Sequence, residues 1–292
     1  MFSDLLINDQ TRSAIQSFLN SPSHALILVG PEGSGKAALA ARIAAELLQT
    51  DRDKLSTYPY FLRVERPEGK RDIPIESIRA VSKLLSLKVP GSKTISRLVL
   101  IEDAQDMNSQ AQNALLKSLE EPPAGTIIIL TADSAGNVLP TIASRAQKII
   151  VHPVSMQDAL KFYANSPAAD NVSSAWQLSQ GSPSLLNAIV TDQEPQLKTA
   201  IDQAKQIFTM TKYQKLIEFD KLSKDKRQLA AVLDAMARVS KALLRQSVAK
   251  DKPGQTKQLL LASRLILDAQ KSLEASVSPK LVGLKLVLNL PL

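Results

Sequence analysis

"LILVGPEGSGKAALAARIAAELL", residues 26–48, holds the spacing that decides the fold. A short apolar run ends at Gly30, and Gly30 through Lys36 fits the pattern G-x-x-x-x-G-K, with strong helix formers following at once. Strand, glycine-rich turn and helix in that order form a phosphate-binding loop. The glycines let backbone N–H groups curl around phosphates, and the helix N-terminus adds a favourable dipole. Gly30, Gly33, Ser34, Gly35 and Lys36 are therefore the candidate cradle, with Lys36 expected against the β- and γ-phosphates. One atom is missing. The next position normally gives a hydroxyl to Mg²⁺, and here it is Ala37.

Working outward, 4–20 reads as a helix and 25–30 as a buried parallel strand. Residues 60–67, "YFLRVERP", alternate like a strand, and 73–89 carry Ile75, Ile78, Val81, Leu84 and Leu85 at helical spacing. Strands are expected at 97–103, 126–133 and 147–151, with a helix over 109–121 and a loop and short helix over 139–146. Such alternation predicts a parallel sheet with crossover helices. Past residue 152 only helical patterns remain. The expected layout is an α/β domain over 1–152, a small helical unit over 153–194 and a helical bundle over 195–292.

The chain's 292 residues suffice for two or three compact units. Apolar residues make up 44% and aromatics 4%, a helix-rich profile and not that of a β-sandwich. With no cysteine and only His24 and His152, thiol catalysis, disulfides and Cys-based zinc sites are excluded and a histidine-built metal site is disfavoured. No apolar run approaches a membrane span and the first residues lack a signal-peptide pattern, so a cytoplasmic location is expected. Residues 1–200 hold 19 Lys+Arg against 20 Asp+Glu, whereas 201–292 hold 17 against 8, so the net +8 lies in the last third. A basic domain can fit nucleic acid nearby, but these lysines are spaced along helices rather than clustered, which favours a solvated helical surface.

"LVLIEDAQDM" places Glu102 and Asp103 at the end of an apolar strand. In a working NTPase such a pair holds the metal's water shell and polarises the attacking water. The usual order is Asp then Glu; reversal offsets each carboxylate by a methylene, and a misplacement of about 1 Å can cost roughly a hundredfold in rate. Ala37 and this swap both point to a relaxed site.

"NALLKSLEEPPAGTIIILTAD" (113–133) and "LPTIASRA" (139–146), with the upstream loop, closely resemble the AAA+ subunits of bacterial sliding-clamp loaders. The resemblance covers about residues 1–190 in motif detail and the remainder in architecture only. It implies an AAA+ P-loop domain, a small helical lid and an all-helical collar that holds subunits in a ring. It also implies partners: motor and clamp-opening subunits, the sliding clamp and, indirectly, primed DNA. The family's Ser-Arg-Cys motif maps onto Ser144, Arg145 and Ala146, and its arginine reaches the ATP of a neighbouring subunit. Thr131 falls at the sensor turn, where a hydroxyl contacts the γ-phosphate or attacking water; capping a strand end fits it equally. The motor pattern's lid arginine is replaced by Ser184, and the family's four-cysteine zinc module is absent. Ala37, the Glu102–Asp103 order and Ser184 favour the delta-prime type, a stator with weak or no ATPase of its own, over the hydrolysing motor type or a scaffold with a vestigial loop; the missing zinc module, peripheral to the nucleotide site, does not bear on that choice. ATP or ADP is an expected ligand, with Mg²⁺ held weakly if at all and no zinc. Pro122 and Pro123 stop the preceding helix, leaving the glutamates of "LEEPP" facing solvent or a neighbour. Trp176 is expected to pack in the lid and His24 to be structural.

Overall fold

The computed structural model describes residues 2, 4–67, 69–70, 72–89, 94–166, 169–191 and 195–291. They fall into two compact units, Met1–Phe162 and Tyr163–Leu292. The expected join between lid and collar, at 194/195, adjoins residues 192–194, which lie outside the described residues.

In the first unit the elements alternate as the apolar spacing dictates. They run α1 (Asp9–Asn20), β1 (Ala25–Val29), α2 (Lys36–Leu48), β2 (Phe61–Val64), α3 (Ile75–Ser86), β3 (Arg97–Ile101), α4 (Ser109–Glu120), β4 (Thr126–Ala132), α5 (Pro140–Ala143), β5 (Gln147–Ile150) and α6 (Met156–Phe162). The five strands pair in parallel in the order β2-β3-β4-β1-β5. Side chains of successive strand residues point to opposite faces. Leu26, Leu28, Leu98, Leu100, Ile127 and Ile129 therefore pack with α1 and α2, while Ala25, Ile27, Val99, Ile101, Ile128 and Leu130 pack with α3, α4 and α5. A parallel sheet covered on both faces needs strands apolar throughout; β3 and β4 are buried at every position. The α/β expectation holds, and all five strands lie where the sequence places them.

One boundary differs. The helix expected over 4–20 begins only at Asp9, because Asn8 is extended and its Oδ1 accepts the Gln10 N–H at 2.9 Å, an N-cap. Its Nδ2 also donates to the Pro153 carbonyl at 3.0 Å. Ile7, counted toward that helix, is buried in the core from the segment before it.

The second unit is helical: α7 (Val172–Ser179), α8 (Pro183–Thr191), α9 (Pro195–Thr209), α10 (Lys212–Leu222), α11 (Lys226–Ala249), α12 (Pro253–Glu274) and α13 (Pro279–Asn289). One core gathers Leu178 of α7, Ile201 and Ala204 of α9, Leu233 and Met236 of α11, Ile266 of α12 and Leu286 of α13. Asp225 caps α11, accepting from Arg227 N–H at 2.8 Å, and Thr211 with Gln214 forms a capping box on α10. The α11–α12 hairpin turns at Pro253, a good first helical residue, and is stitched by Ser247 with Thr256 at 2.8 Å and Ser263 with Ser240 at 3.1 Å. Trp176 is half-buried on α7.

Candidate functional site

The C-terminal edge of a doubly covered parallel sheet is where the strand order leaves a crevice. The loop after β1 opens there, between β4 and β5. Gly30 N–H donates to Ala132 O at 3.1 Å, fastening the loop to the end of β4. A Cβ on Gly30 would stand 2.9 Å from both the Val151 carbonyl and Ser34 Oγ, so only glycine fits. Gly33 and Gly35 adopt left-handed φ of 74° and 83°, which side chains rarely tolerate. Together these glycines turn the chain into α2 with its N-terminal N–H groups toward the loop.

Lys36 does not extend into solvent. It is 7% exposed, and its Nζ donates to the carbonyls of Gly30 at 2.7 Å and Pro31 at 3.1 Å. Burial lowers its pKa, against the raising influence of Asp103, Asp133 and Glu32. An ammonium carries three donors, so a third remains beside the two turned inward. Ser34 Oγ is buried without a hydrogen-bond partner among the described residues. A buried charge, an unsatisfied hydroxyl and a helix N-terminus together fit a polyphosphate. The metal side fits less well. Ala37 is exposed and brings no ligand atom.

The two candidate carboxylates part company. Arg63 on β2 stands opposite Leu100, so Glu102, two residues further, lies on the same side of the sheet. Arg63 Nη2 donates to Glu102 Oε2 at 3.0 Å, and Nε lies 3.0 Å from Oε1 without hydrogen-bond alignment. With Glu102 only 12% exposed and committed to this pair, it is held toward β2. The pairing also raises the Arg63 pKa, by hydrogen bond first. Asp103 adopts a left-handed φ of 48°, an uncommon conformation outside glycine, and its carboxylate acts on Lys36. Its N–H donates to Thr131 Oγ1 at 2.9 Å, with Thr131 1% exposed. The hydroxyl thus ties β3's end to β4 and still retains its own proton for another acceptor. Burial, together with Asp103, Asp133 and Asp72, raises the pKa of Asp106 against the opposing pull of Arg66.

Ser144 and Arg145 stand on a separate turn, closing α5. Buried Gln112 of α4 sets that turn: its amide donates to Met107 O at 3.0 Å and accepts from Leu139 N–H at 2.9 Å, just before Pro140 starts α5. Arg145 Nη1 donates to Thr141 O at 2.9 Å, and Nη2 donates to Glu120 Oε1 at 2.7 Å. Ser144 Oγ donates to Thr141 O at 3.1 Å. Glu120, expected to face solvent or a neighbour, is exposed and also pairs with Arg145 within the chain, because the helix end and the Ser-Arg turn lie side by side.

The structure therefore brings the loop residues, Asp103 and Thr131 together and leaves Glu102 and the Ser144–Arg145 turn bound elsewhere. Sequence reading missed Arg63, Gln112 and Glu120 as partners of site residues. Arg63 was visible only as a polar position in an alternating strand, and nothing local marks the other two.

A family model described as "DNA polymerase III, delta subunit" matches residues 8–155. The DNA polymerase III subunit delta' of Pseudomonas aeruginosa is 36% identical over 138 residues, covering 42% of this chain and 41% of that protein. The subunit delta' of Escherichia coli K12 is 29% identical over 152 residues, covering 51% and 44%. Replication factor C small subunit 1 of Pyrobaculum islandicum is 26% identical over 190 residues, covering 62% and 55%. The aligned stretches thus span about half the length of the curated relatives. Among solved structures, a DNA polymerase III gamma subunit-related protein of Thermotoga maritima superposes with a TM-score of 0.57 at 19% identity, covering 96% of this chain and 98% of that one, a likeness of fold. With the family match running from the capped start of α1 through the strand that closes the sheet, the chain belongs to the family described as DNA polymerase III, delta subunit.

Proposed function

We propose that this chain is a delta-prime-like clamp-loader subunit of a DNA polymerase III, a stator that completes a motor subunit's ATP site with Arg145 in trans during sliding-clamp loading. The observation that carries the reading is a division of labour. Beside its own phosphate loop the chain offers Ala37 where a metal ligand would stand, and Glu102 is clamped by Arg63. Meanwhile Arg145 sits on a surface turn, 35% exposed, beyond the helix that ends the sheet's crossover. An arginine supplied in trans stabilises charge on the transferring phosphoryl group and is worth about 10³–10⁵ in rate. The home loop would hold ATP or ADP through Lys36, Ser34 and the α2 N-terminus without rapid turnover.

The second unit supports assembly. Leu281, Leu284 and Leu288 recur at helical spacing on α13, 60%, 45% and 50% exposed, and on α12 Leu260 and Leu267, seven residues apart, share an exposed side with Leu261 beside them. Stripes of that kind mark protein contacts, here motor and clamp-opening subunits. Contact with the sliding clamp and, indirectly, primed DNA completes the proposed set of partners, in the cytoplasm. Among the described residues no helix is long and apolar enough to cross a membrane.

The test is steady-state ATPase. The chain alone with MgATP is expected to turn over negligibly, yet to raise turnover in a reconstituted assembly with motor subunits, and Arg145→Ala should abolish that gain. Brisk turnover by the isolated chain would favour the motor reading. An Arg145→Ala chain that still supports full activity would leave only a scaffold.

A further inference from the structure

We infer that Glu120 is a positioning residue for Arg145, holding the guanidinium ready for a neighbour's phosphates before the neighbour arrives. The inference rests on the reading of Arg145 as a residue acting in trans.

The geometry is a two-point hold on one planar group. Glu120 Oε1 takes Nη2 at 2.7 Å, and the Thr141 carbonyl takes Nη1 at 2.9 Å. Ser144 Oγ adds a longer contact to Nη1 at 3.5 Å. A guanidinium has five N–H donors in a rigid fork, so at least two remain for a second acceptor while these anchors stay in place. Both anchors are themselves fixed. Glu120 closes α4, and Thr141 lies in α5, whose start is gripped by buried Gln112 of α4 through the Leu139 N–H at 2.9 Å. One helix thus aligns both ends of the hold.

Two roles were possible for a carboxylate there: restraining the arginine from leaving, or presenting it. An exposed pair contributes little to binding strength, and Glu120 is 49% exposed with Arg145 at 35%. A restraint that weak cannot withhold the guanidinium from a polyphosphate bearing several charges. It can, however, narrow a side chain that otherwise samples many rotamers. Arginine carries substantial rotamer entropy, and losing less of it at the transition state lowers the barrier. Presentation is the role the geometry supports.

The experiment uses the full chain in the reconstituted assembly with motor subunits and MgATP, comparing wild type, Glu120→Ala, Glu120→Gln and Arg145→Ala. Glu120→Ala is expected to lower kcat of the motor site about fivefold, the scale of freeing part of one arginine's rotamers. KM for ATP, the subunit concentration giving half-maximal assembly, and the melting temperature of the isolated chain should stay put, which a merely structural role would not allow. Glu120→Gln, whose amide oxygen still accepts from Nη2, should restore kcat to within about twofold. Higher kcat in Glu120→Ala would show restraint and overturn the proposal. So would unchanged kcat there beside an inactive Arg145→Ala, loss of assembly in Glu120→Ala, or failure of Gln to rescue. Full activity of Arg145→Ala would instead remove the reading beneath it.

Discussion

Thr131→Val replaces a hydroxyl with a methyl of nearly the same shape at a position 1% exposed. In the folded chain its Oγ1 accepts the Asp103 N–H at 2.9 Å. The valine cannot accept, so the perturbation orphans a partly buried backbone donor and leaves packing intact. That costs about 1–3 kcal/mol in general, and the lower half, about 1–2 kcal/mol, applies here because part of the site is open to water. Asp103 already carries the strain of a left-handed φ of 48°, so it has little reserve to re-aim its N–H. For a unit the size of Met1–Phe162 each kcal/mol moves the midpoint by about 2–4 °C, giving a fall of about 2–8 °C. The assay is thermal unfolding of the full chain without nucleotide, reading the transition of the α/β unit, with amide hydrogen exchange at Asp103. Thr131→Ser is the control for exchange, not for melting, since the lost methyl alone costs about 0.8 kcal/mol. Asp103 should exchange about five- to thirtyfold faster in the valine variant and stay protected in the serine one. Equal protection in both would mean that the Thr131 hydroxyl does not organise the strand ends.

Gly30→Ala forces a Cβ to within 2.9 Å of the carbonyl of Val151, a residue whose N–H is held by the Val29 carbonyl at 2.7 Å, and is expected to destabilise by about 1–3 kcal/mol in chemical denaturation. Gly254→Ala, in the first turn of α12 with nothing within 4 Å, should instead stabilise by about 0.5–1 kcal/mol. Asp106 has a folded-state pKa above its ordinary 3.8, chiefly from burial, so the folded chain binds the proton more tightly and its stability falls as pH rises through that window. Asp106→Asn should therefore gain stability over wild type as pH rises above the ordinary carboxylate range, measured as the difference in urea midpoints, with the gain vanishing below that range. Lys36→Ala is expected to weaken binding of a fluorescent ADP analogue by about tenfold or more, and a titration with and without Mg²⁺ should differ little because Ala37 offers the ion no ligand.

The α/β order and the loop were legible because their signals are local. Apolar runs bounded by glycine at Gly30, helical spacing through 73–89, and Pro122 ending a helix all act within a few residues. The capped start of α1 was harder, since Asn8 and the apolar residues before it fit a helix until the cap geometry is seen. The leucines of the last helices were ambiguous for another reason. Spacing tells that Leu281, Val282, Leu284 and Leu286 recur, not that Val282 and Leu286 are covered while Leu281 and Leu284 face outward.

Sequence alone determined that a strand, a tight glycine turn and a helix would follow one another, with no hydroxyl at position 37, because φ limits and periodicity are properties of neighbouring residues. Only the tertiary structure decided what the charged groups do. Glu102 finds Arg63 across 39 residues, Arg145 finds Glu120 across 25, and Asp103 finds Thr131 across 28. Those meetings follow from the strand order β2-β3-β4-β1-β5 and from helices packed side by side, and a charge's partner is set by which elements lie next to it rather than by its place along the chain.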